Sequence, residues 1–288
     1  MRRLRILSLL AVLALAGGLL LAACGGDDDD AAAGSTADTT AAVCTKDALQ
    51  TTTAGTLTVA TDSPAFPPYV IDDDPTNGKG FESAVAYAIA DQLGFTADEV
   101  TWIRVPFNST FAPGPKKYDF DVNQVSINPQ RQKGADFSSP YYTTPQGVLV
   151  AGDSDFASAT SLAELKDAQI GVQVGTTSLD AVNEVIAPTK QPRVYDTSTD
   201  VVRALKNGQV DAIVTDLPTV IYLRDAEVEG SRIVGQFAAP GANDWGAVLE
   251  KGSPLTACVS QAVDTLRESG ELQRITDQWI GAEAPELQ

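Results

Sequence analysis

Short apolar strand segments alternate with amphipathic helical segments along most of this chain, and this alternation restricts the possible folds more than any other feature. Residues 80–93 show the helical pattern, with apolar side chains every four positions from Phe81 to Leu93 before a stop at Gly94. Strands are predicted at 56–60, 100–105, 120–127, 146–151, 169–174, 210–214 and 247–249, and further helices at 161–166, 179–186, 200–207, 255–270 and 271–280. The alternation predicts an α/β fold with largely parallel sheets.

Three loops follow predicted strands and are the candidate binding segments. They cover residues 62–69, 175–178 and 216–218. The first contains three prolines, which neither donate to a strand ladder nor continue a helix. Ligands of α/β folds bind at the carboxyl ends of strands, so these loops are expected to line a site.

The first 23 residues have the layout of a secretory signal peptide, with a basic start and an apolar run over 6–21. The run is short for a membrane-spanning helix. The sequence Leu-Ala-Ala-Cys at 21–24 resembles the lipobox of bacterial lipoproteins, which implies cleavage before Cys24 and a diacylglycerol on its sulfur. The alternative is an ordinary signal peptide with a chance cysteine. Residues 24–44 are predicted to form a flexible stalk, because they carry little apolar bulk.

Charge and residue usage exclude several functions. The net charge is −18, and removal of Arg2, Arg3 and Arg5 with the signal peptide makes it −21, which argues against nucleic acid and anionic lipid surfaces. The chain contains no histidine, which removes Ser-His-Asp and Cys-His nucleophilic sites and His-based zinc sites. We expect no cofactor and no metal.

Two cysteines remain after Cys24. Cys44 and Cys258 form an even pair in an oxidising compartment, which suggests a disulfide between the start of the folded part and its C-terminal helical region. Two independent buried thiols are the alternative.

Six motifs occur in an order that resembles the extracellular solute-binding proteins of family 3, the polar amino-acid receptors of ABC importers. They lie at 58–62, 67–69, 80–82, 131–142, 171–177 and 210–216, and the resemblance runs from about residue 55 to 281. It implies a two-lobed type II fold with two mixed sheets, flanked by helices and joined by two hinge strands. Lobe one would comprise 45–146 and 240–288, and lobe two 147–239, with crossings near 146–147 and 237–240.

The resemblance also implies a ligand site in the cleft. Arg131 would bind a carboxylate with two parallel hydrogen bonds, and Ser126 would help to bind the same carboxylate or the ammonium. Thr176 and Thr177 stand at a predicted helix N-terminus, which favours an anion, although threonines there are also ordinary caps. Asp216 would take the ligand's ammonium, although an aspartate before a proline turn is also a common turn former.

The ligand's side chain would meet Asp62, Phe66, Phe107 and Gln124. Several positions depart from the family pattern: Gln124 replaces a usual Gly or Ser, Asn128 a usual Thr and Glu82 a usual Asp, and residues 111–115 lack the usual apolar helix. These departures leave the identity of the ligand open.

The sequence thus predicts a monomeric, lipid-anchored, extracytoplasmic protein that binds a polar amino acid and delivers it to a membrane permease. Gln, Asn, Arg, Lys, ornithine and small neutral amino acids remain open, whereas an acidic side chain is disfavoured by Asp62. The alternative is an enzyme related to cyclohexadienyl dehydratase, with Glu82 or Asp216 as general acid or base. The absence of histidine and of a base–nucleophile pair argues against it. The ligand-binding part of a receptor is a third option, disfavoured because no second membrane segment is seen in the sequence.

Overall fold

The computed structural model describes residues 44–239, 241, 243–282 and 284–288. The predicted signal peptide, the lipid-anchor residue Cys24, the stalk up to residue 43 and Pro240 lie outside the described residues. None of the helices in the described ranges combines the length and the hydrophobicity that a membrane span requires.

Twelve strands are present in the described part of the chain: β1 (Leu57–Thr61), β2 (Val100–Arg104), β3 (Phe120–Asp121), β4 (Ala135–Phe137), β5 (Tyr142–Thr143), β6 (Gln146–Val150), β7 (Ile170–Gln173), β8 (Arg193–Tyr195), β9 (Ala212–Asp216), β10 (Arg232–Phe237), β11 (Asp244–Trp245) and β12 (Val248–Glu250). They form one sheet in the order β2-β1-β3-β12-β4, a second in the order β10-β6-β9-β7-β8, and a small sheet of β11 and β5. We call the parts built on the first and second sheets lobe one and lobe two.

The α/β prediction and the two mixed sheets implied by the resemblance are confirmed, whereas the expectation of largely parallel sheets, drawn from the alternation alone, is wrong. In lobe one, β1 runs parallel to β2 and β3, while β12 is antiparallel to β3 and β4. In lobe two, β7 runs parallel to β8 and β9, while β6 is antiparallel to β9 and β10. The antiparallel strands lie next to the segments that connect the lobes, where the chain enters or leaves a sheet without a crossover helix.

Helices cover both sheets. They are α1 (Phe81–Gln92), α2 (Phe107–Thr110), α3 (Thr177–Ala181), α4 (Ser198–Lys206), α5 (Leu217–Tyr222), α6 (Thr256–Glu268) and α7 (Glu271–Trp279). The helices α3 and α5 continue as π-helical turns over Val182–Ile186 and Leu223–Glu227. The helix predicted at 161–166 is a single 3-10 turn, Leu162–Leu165, and it has the capping box expected from Ser161 and Glu164.

Each lobe has its own apolar core. In lobe one, α1, α6 and α7 pack on the first sheet around fully buried Phe81, Ile89 and Leu249. In lobe two, separate clusters occupy the two faces of the second sheet, one around Ile170 and the other around Val220. Because each sheet buries its own apolar residues, the two lobes can move as units about the segments that join them.

Two expectations about the ends of the folded part have different outcomes. The disulfide is confirmed: Cys44 and Cys258 are bonded, which ties the start of the described chain to α6. The expectation that 240–288 returns entirely to lobe one is wrong for the last residues. Leu287 packs into a lobe-two core, and the backbone around it exchanges hydrogen bonds with Gln236 of β10.

The predicted length of the strand at 120–127 is also wrong, because β3 ends at Asp121. Gln124 has a φ of 50°, in the left-handed region that non-glycine residues rarely adopt. The backbone therefore turns away from the sheet before Ser126, and this turn carries residues 123–126 into the region between the lobes.

Candidate functional site

The cleft between the lobes contains a cavity of about 710 Å³. All nine residues predicted to contact a ligand line this one cavity: Asp62, Phe66, Phe107, Gln124, Ser126, Arg131, Thr176, Thr177 and Asp216. The carboxyl ends of β1, β7 and β9 converge there, as expected for loops of an α/β fold.

Arg131 is the buried cation of the cleft, with only 6 % of its surface exposed. Its Nη1 donates to the carbonyl of Ser126 at 2.7 Å, and its Nη2 donates to the carbonyl of Gly175 in lobe two at 3.0 Å. Burial lowers the pKa of Arg131 to about 10, so the guanidinium stays charged at neutral pH. A buried charge of this kind needs an anionic partner to offset its desolvation.

Two threonines of lobe two face Arg131 and Ser126. The hydroxyl of Thr177 lies 3.2 Å from that of Ser126, so these side chains meet across the cleft. Thr176 is the N-cap of α3: its hydroxyl accepts from the amide of Leu179 and donates to the carbonyl of Gln173. The capping role is therefore correct for the hydroxyl of Thr176.

Asp216 and Asp62 are two of the carboxylates that line the same cavity. Asp216 ends β9 and accepts a hydrogen bond of 2.6 Å from Nε2 of Gln146. Burial raises the pKa of Asp216 to about 7, partly offset by Gln146 and the charge of Arg131. Asp62 follows β1, and burial also raises its pKa. The nearby guanidinium of Arg104 is ion-paired with Asp73 at 2.9 Å, so it does not neutralise Asp62 by direct pairing.

Gln124 is held by Glu82, which explains two departures from the family pattern together. The backbone N–H of Gln124 donates to Oε1 of Glu82 at 2.6 Å, and its side-chain Nε2 donates to Oε2. Tyr141 donates its hydroxyl to the same carboxylate. Glu82 is fully buried, which raises its pKa to about 7. These bonds stabilise the left-handed backbone of Gln124 and direct its amide nitrogen away from the cavity.

Sequence reasoning missed three contributors to the cleft. The hydroxyl of Tyr69 is hydrogen-bonded to the hydroxyl of Thr219 of α5 at 2.8 Å, and this bond links the lobes. Asn123 lines the cavity at 5 % exposure, and its Nδ2 has no hydrogen-bond partner among the described residues. The ring centroid of Phe111 lies 4.5 Å from Cζ of Arg131. The motif 67–69 pointed to Tyr69, but nothing local marked Asn123 or Phe111.

The chain is similar to known proteins over the folded part. Residues 57–282 match the model of the bacterial extracellular solute-binding proteins, family 3. The L-cystine-binding protein TcyJ of Escherichia coli K12 is 27 % identical over 231 residues, 80 % of this chain and 84 % of the relative. The arginine-binding periplasmic protein of Mannheimia haemolytica is 27 % identical over 227 residues, 76 % of this chain and 89 % of the relative.

The fold of the chain is also similar to that of a solved structure. An ancestral arginine-binding protein bound to glutamine is 32 % identical, with a TM-score of 0.66, and the alignment covers 79 % of this chain and 99 % of the other. The same fold therefore extends over almost the whole of the solved protein.

Proposed function

The chain belongs to the bacterial extracellular solute-binding proteins of family 3, and from this premise we propose that it binds an amino acid with a cationic side chain in its cleft and delivers it to an ABC permease. Its relatives are amino-acid-binding proteins rather than enzymes, and so is this chain. The observation that carries the choice of ligand is that the buried guanidinium of Arg131 and the carboxylates of Asp62 and Asp216 line the same cavity, whereas Asp200 and Glu227 of its lining are paired with Arg203 and Lys206.

The α-carboxylate of the ligand would bind Arg131. Within the described residues, this guanidinium donates two hydrogen bonds, to the carbonyls of Ser126 and Gly175. A guanidinium has five N–H donors, so others remain for a carboxylate. Ser126, the backbone at Thr176 and Thr177, and the start of α3 add neutral donors beside it.

The α-ammonium would bind Asp216, which leaves Asp62 for the far end of the ligand. A ligand whose side chain is cationic satisfies this second carboxylate, whereas an acidic side chain would be repelled. Phe66 would cover the aliphatic part of the side chain with its ring. Several relatives are named as arginine-binding proteins, which supports this class.

Ligand binding would be coupled to closure of the lobes. Three contacts join them around the cavity: Arg131 with Gly175, Ser126 with Thr177, and Tyr69 with Thr219. A ligand that bridges Arg131 and Asp216 adds contacts available only in the closed form, so it shifts the population toward that form. The permease would then recognise the closed lobes.

The location outside the cytoplasm follows from the family. The anchoring of the mature protein through a lipid on Cys24, and its monomeric state, are parts of the proposal.

The enzyme alternative has little support in the site. Glu82, one of its two candidate acids, is fully buried, is bonded to Gln124 and Tyr141, and is not among the residues that line the cavity.

The proposal is tested by thermal melting of the mature protein with L-arginine, L-lysine and L-ornithine. A ligand at 100 times its Kd should stabilise the protein by about 2.7 kcal/mol, which gives a clear rise in Tm. L-Citrulline has nearly the shape of arginine without the charge, and agmatine lacks the carboxylate, so both should give much smaller shifts. Equal shifts with L-citrulline and L-arginine would contradict the role of Asp62, and no shift with any amino acid would contradict the function.

The pKa of Asp216 predicts a pH-dependent affinity. A carboxyl group with a pKa near 7 is largely protonated at pH 6, and it must lose this proton to bind an ammonium. The Kd for L-arginine should therefore be about tenfold higher at pH 6 than at pH 8. Calorimetric titrations at both pH values measure this difference. Asp216→Asn should bind weakly and with little pH dependence over this range, whereas a flat profile in the unmodified protein would disprove the assignment.

A further inference from the structure

The guanidinium of Arg131 is stacked against two aromatic rings. Its Cζ lies 4.5 Å from the centroid of the Phe111 ring and 5.4 Å from that of Phe107. The two rings meet edge to face, with centroids 5.4 Å apart and planes inclined by 80°. Because the two rings are inclined to each other, they contact the cation from two directions and restrict the orientation of its plane.

The segment that carries Phe111 is held in place by several contacts. Lys116 donates from Nζ to the carbonyls of Ser109 at 2.9 Å and Ala112 at 2.6 Å, and so closes the loop on itself. The hydroxyl of Tyr118 donates to the carbonyl of Thr110 at 2.9 Å. These bonds explain how residues 111–115 keep a fixed shape without the apolar helix usual at this position.

Gly134 brings this segment close to Arg131. A Cβ at position 134 would lie 2.7 Å from the carbonyl oxygen of Phe111 and 3.1 Å from Cδ of Pro113, too close for any side chain. The amide of Gly134 bonds to the carbonyl of Arg131 at 3.0 Å. The turn that bears the arginine and the loop that bears the phenylalanine are therefore packed backbone to backbone.

We propose that Phe111 is a positioning residue that fixes the plane of the Arg131 guanidinium, so that its remaining N–H donors face the cleft. Two carbonyl bonds alone leave the group free to tilt about the line joining them, and the ring removes this freedom. Preorganisation of this kind improves affinity because less conformational entropy is lost on binding. The stacking stands on geometry alone, while its consequence for amino-acid affinity rests on the proposed function.

The stacking is tested by nuclear magnetic resonance of the mature protein without ligand. The Nε–Hε signal of Arg131, assigned through its loss in Arg131→Lys, should be shifted upfield by the aromatic ring currents. In Phe111→Leu this signal should move downfield, toward those of exposed arginines, and Phe111→Tyr should restore its position. Phe156→Leu is the matched control, since Phe156 is a similarly half-buried phenylalanine packed against a lobe-two core.

Affinity for L-arginine, measured by calorimetry on the same variants, gives the functional readout. We expect the Kd to rise about tenfold in Phe111→Leu and to stay near its original value in Phe111→Tyr and Phe156→Leu.

An Arg131 signal unchanged by Phe111→Leu would overturn the proposal whatever the affinities. A shifted signal with an unchanged Kd would overturn the positioning role. If the unmodified protein bound no amino acid, the proposed function would fail, and the resonance of Arg131 would still decide whether Phe111 fixes it. Should Phe111→Leu not fold, Phe111→Met serves in its place.

Discussion

Replacing Arg131 with alanine is expected to raise the Kd for L-arginine roughly a hundredfold or more, since removing one partner of a buried charge pair costs about 2–5 kcal/mol of binding free energy. The side chain is the buried cation of the cleft and donates to carbonyls of both lobes. Its loss removes the group proposed to hold the carboxylate and one contact between the lobes. Calorimetry measures the change.

The ligand itself provides a matched control for this variant. Agmatine lacks the carboxylate, so its weak binding should change far less in Arg131→Ala than the binding of L-arginine. Arg274→Ala, which removes an exposed arginine paired with Glu271 on α7, should leave both affinities unchanged. Arg131→Lys should recover only part of the loss, because an ammonium cannot form two parallel bonds to a carboxylate. Native affinity in a folded Arg131→Ala protein would refute the carboxylate site.

Removing the disulfide is expected to lower the free energy of unfolding by about 2–5 kcal/mol. Cys44 and Cys258 are separated by 214 residues, so the bond closes almost the whole described chain into one loop. The double variant Cys44→Ala, Cys258→Ala avoids a leftover thiol and tests this by urea unfolding.

The bond lies in lobe one, at α6 and away from the residues that line the cleft cavity. Affinity for L-arginine should consequently stay within about twofold in the double variant at temperatures where it is folded, because the change acts on the unfolded chain. An unchanged free energy of unfolding would contradict the stabilising role of the bond. A large loss of affinity in the folded variant would show that the bond also shapes the cleft.

Local patterns and the resemblance to a family together predict much of the site. The loops after β1, β7 and β9 follow from strand ends and prolines, whereas residues such as Arg131 and Asp216 follow from the resemblance. All nine named residues line one cavity. Their binding roles remain predictions until the ligand experiments are done. The pattern of apolar and polar residues gave a wrong strand length at one place. Residues 120–127 have the composition of a strand, but Glu82 holds Gln124 in a left-handed turn, so the strand ends earlier.

Features that depend on neighbouring residues can be predicted from the sequence: the α/β alternation, the helix caps and the loops at strand ends. The even count of cysteines left after Cys24 also indicated the disulfide. The tertiary structure alone decided the bond between Tyr69 and Thr219, the stacking of Phe111 on Arg131, and the addition of the last residues to β10 in lobe two. Each of these contacts joins segments that are distant in the chain or that lack a repeating pattern. Packing of the two lobes brings them together, and no local periodicity records that packing.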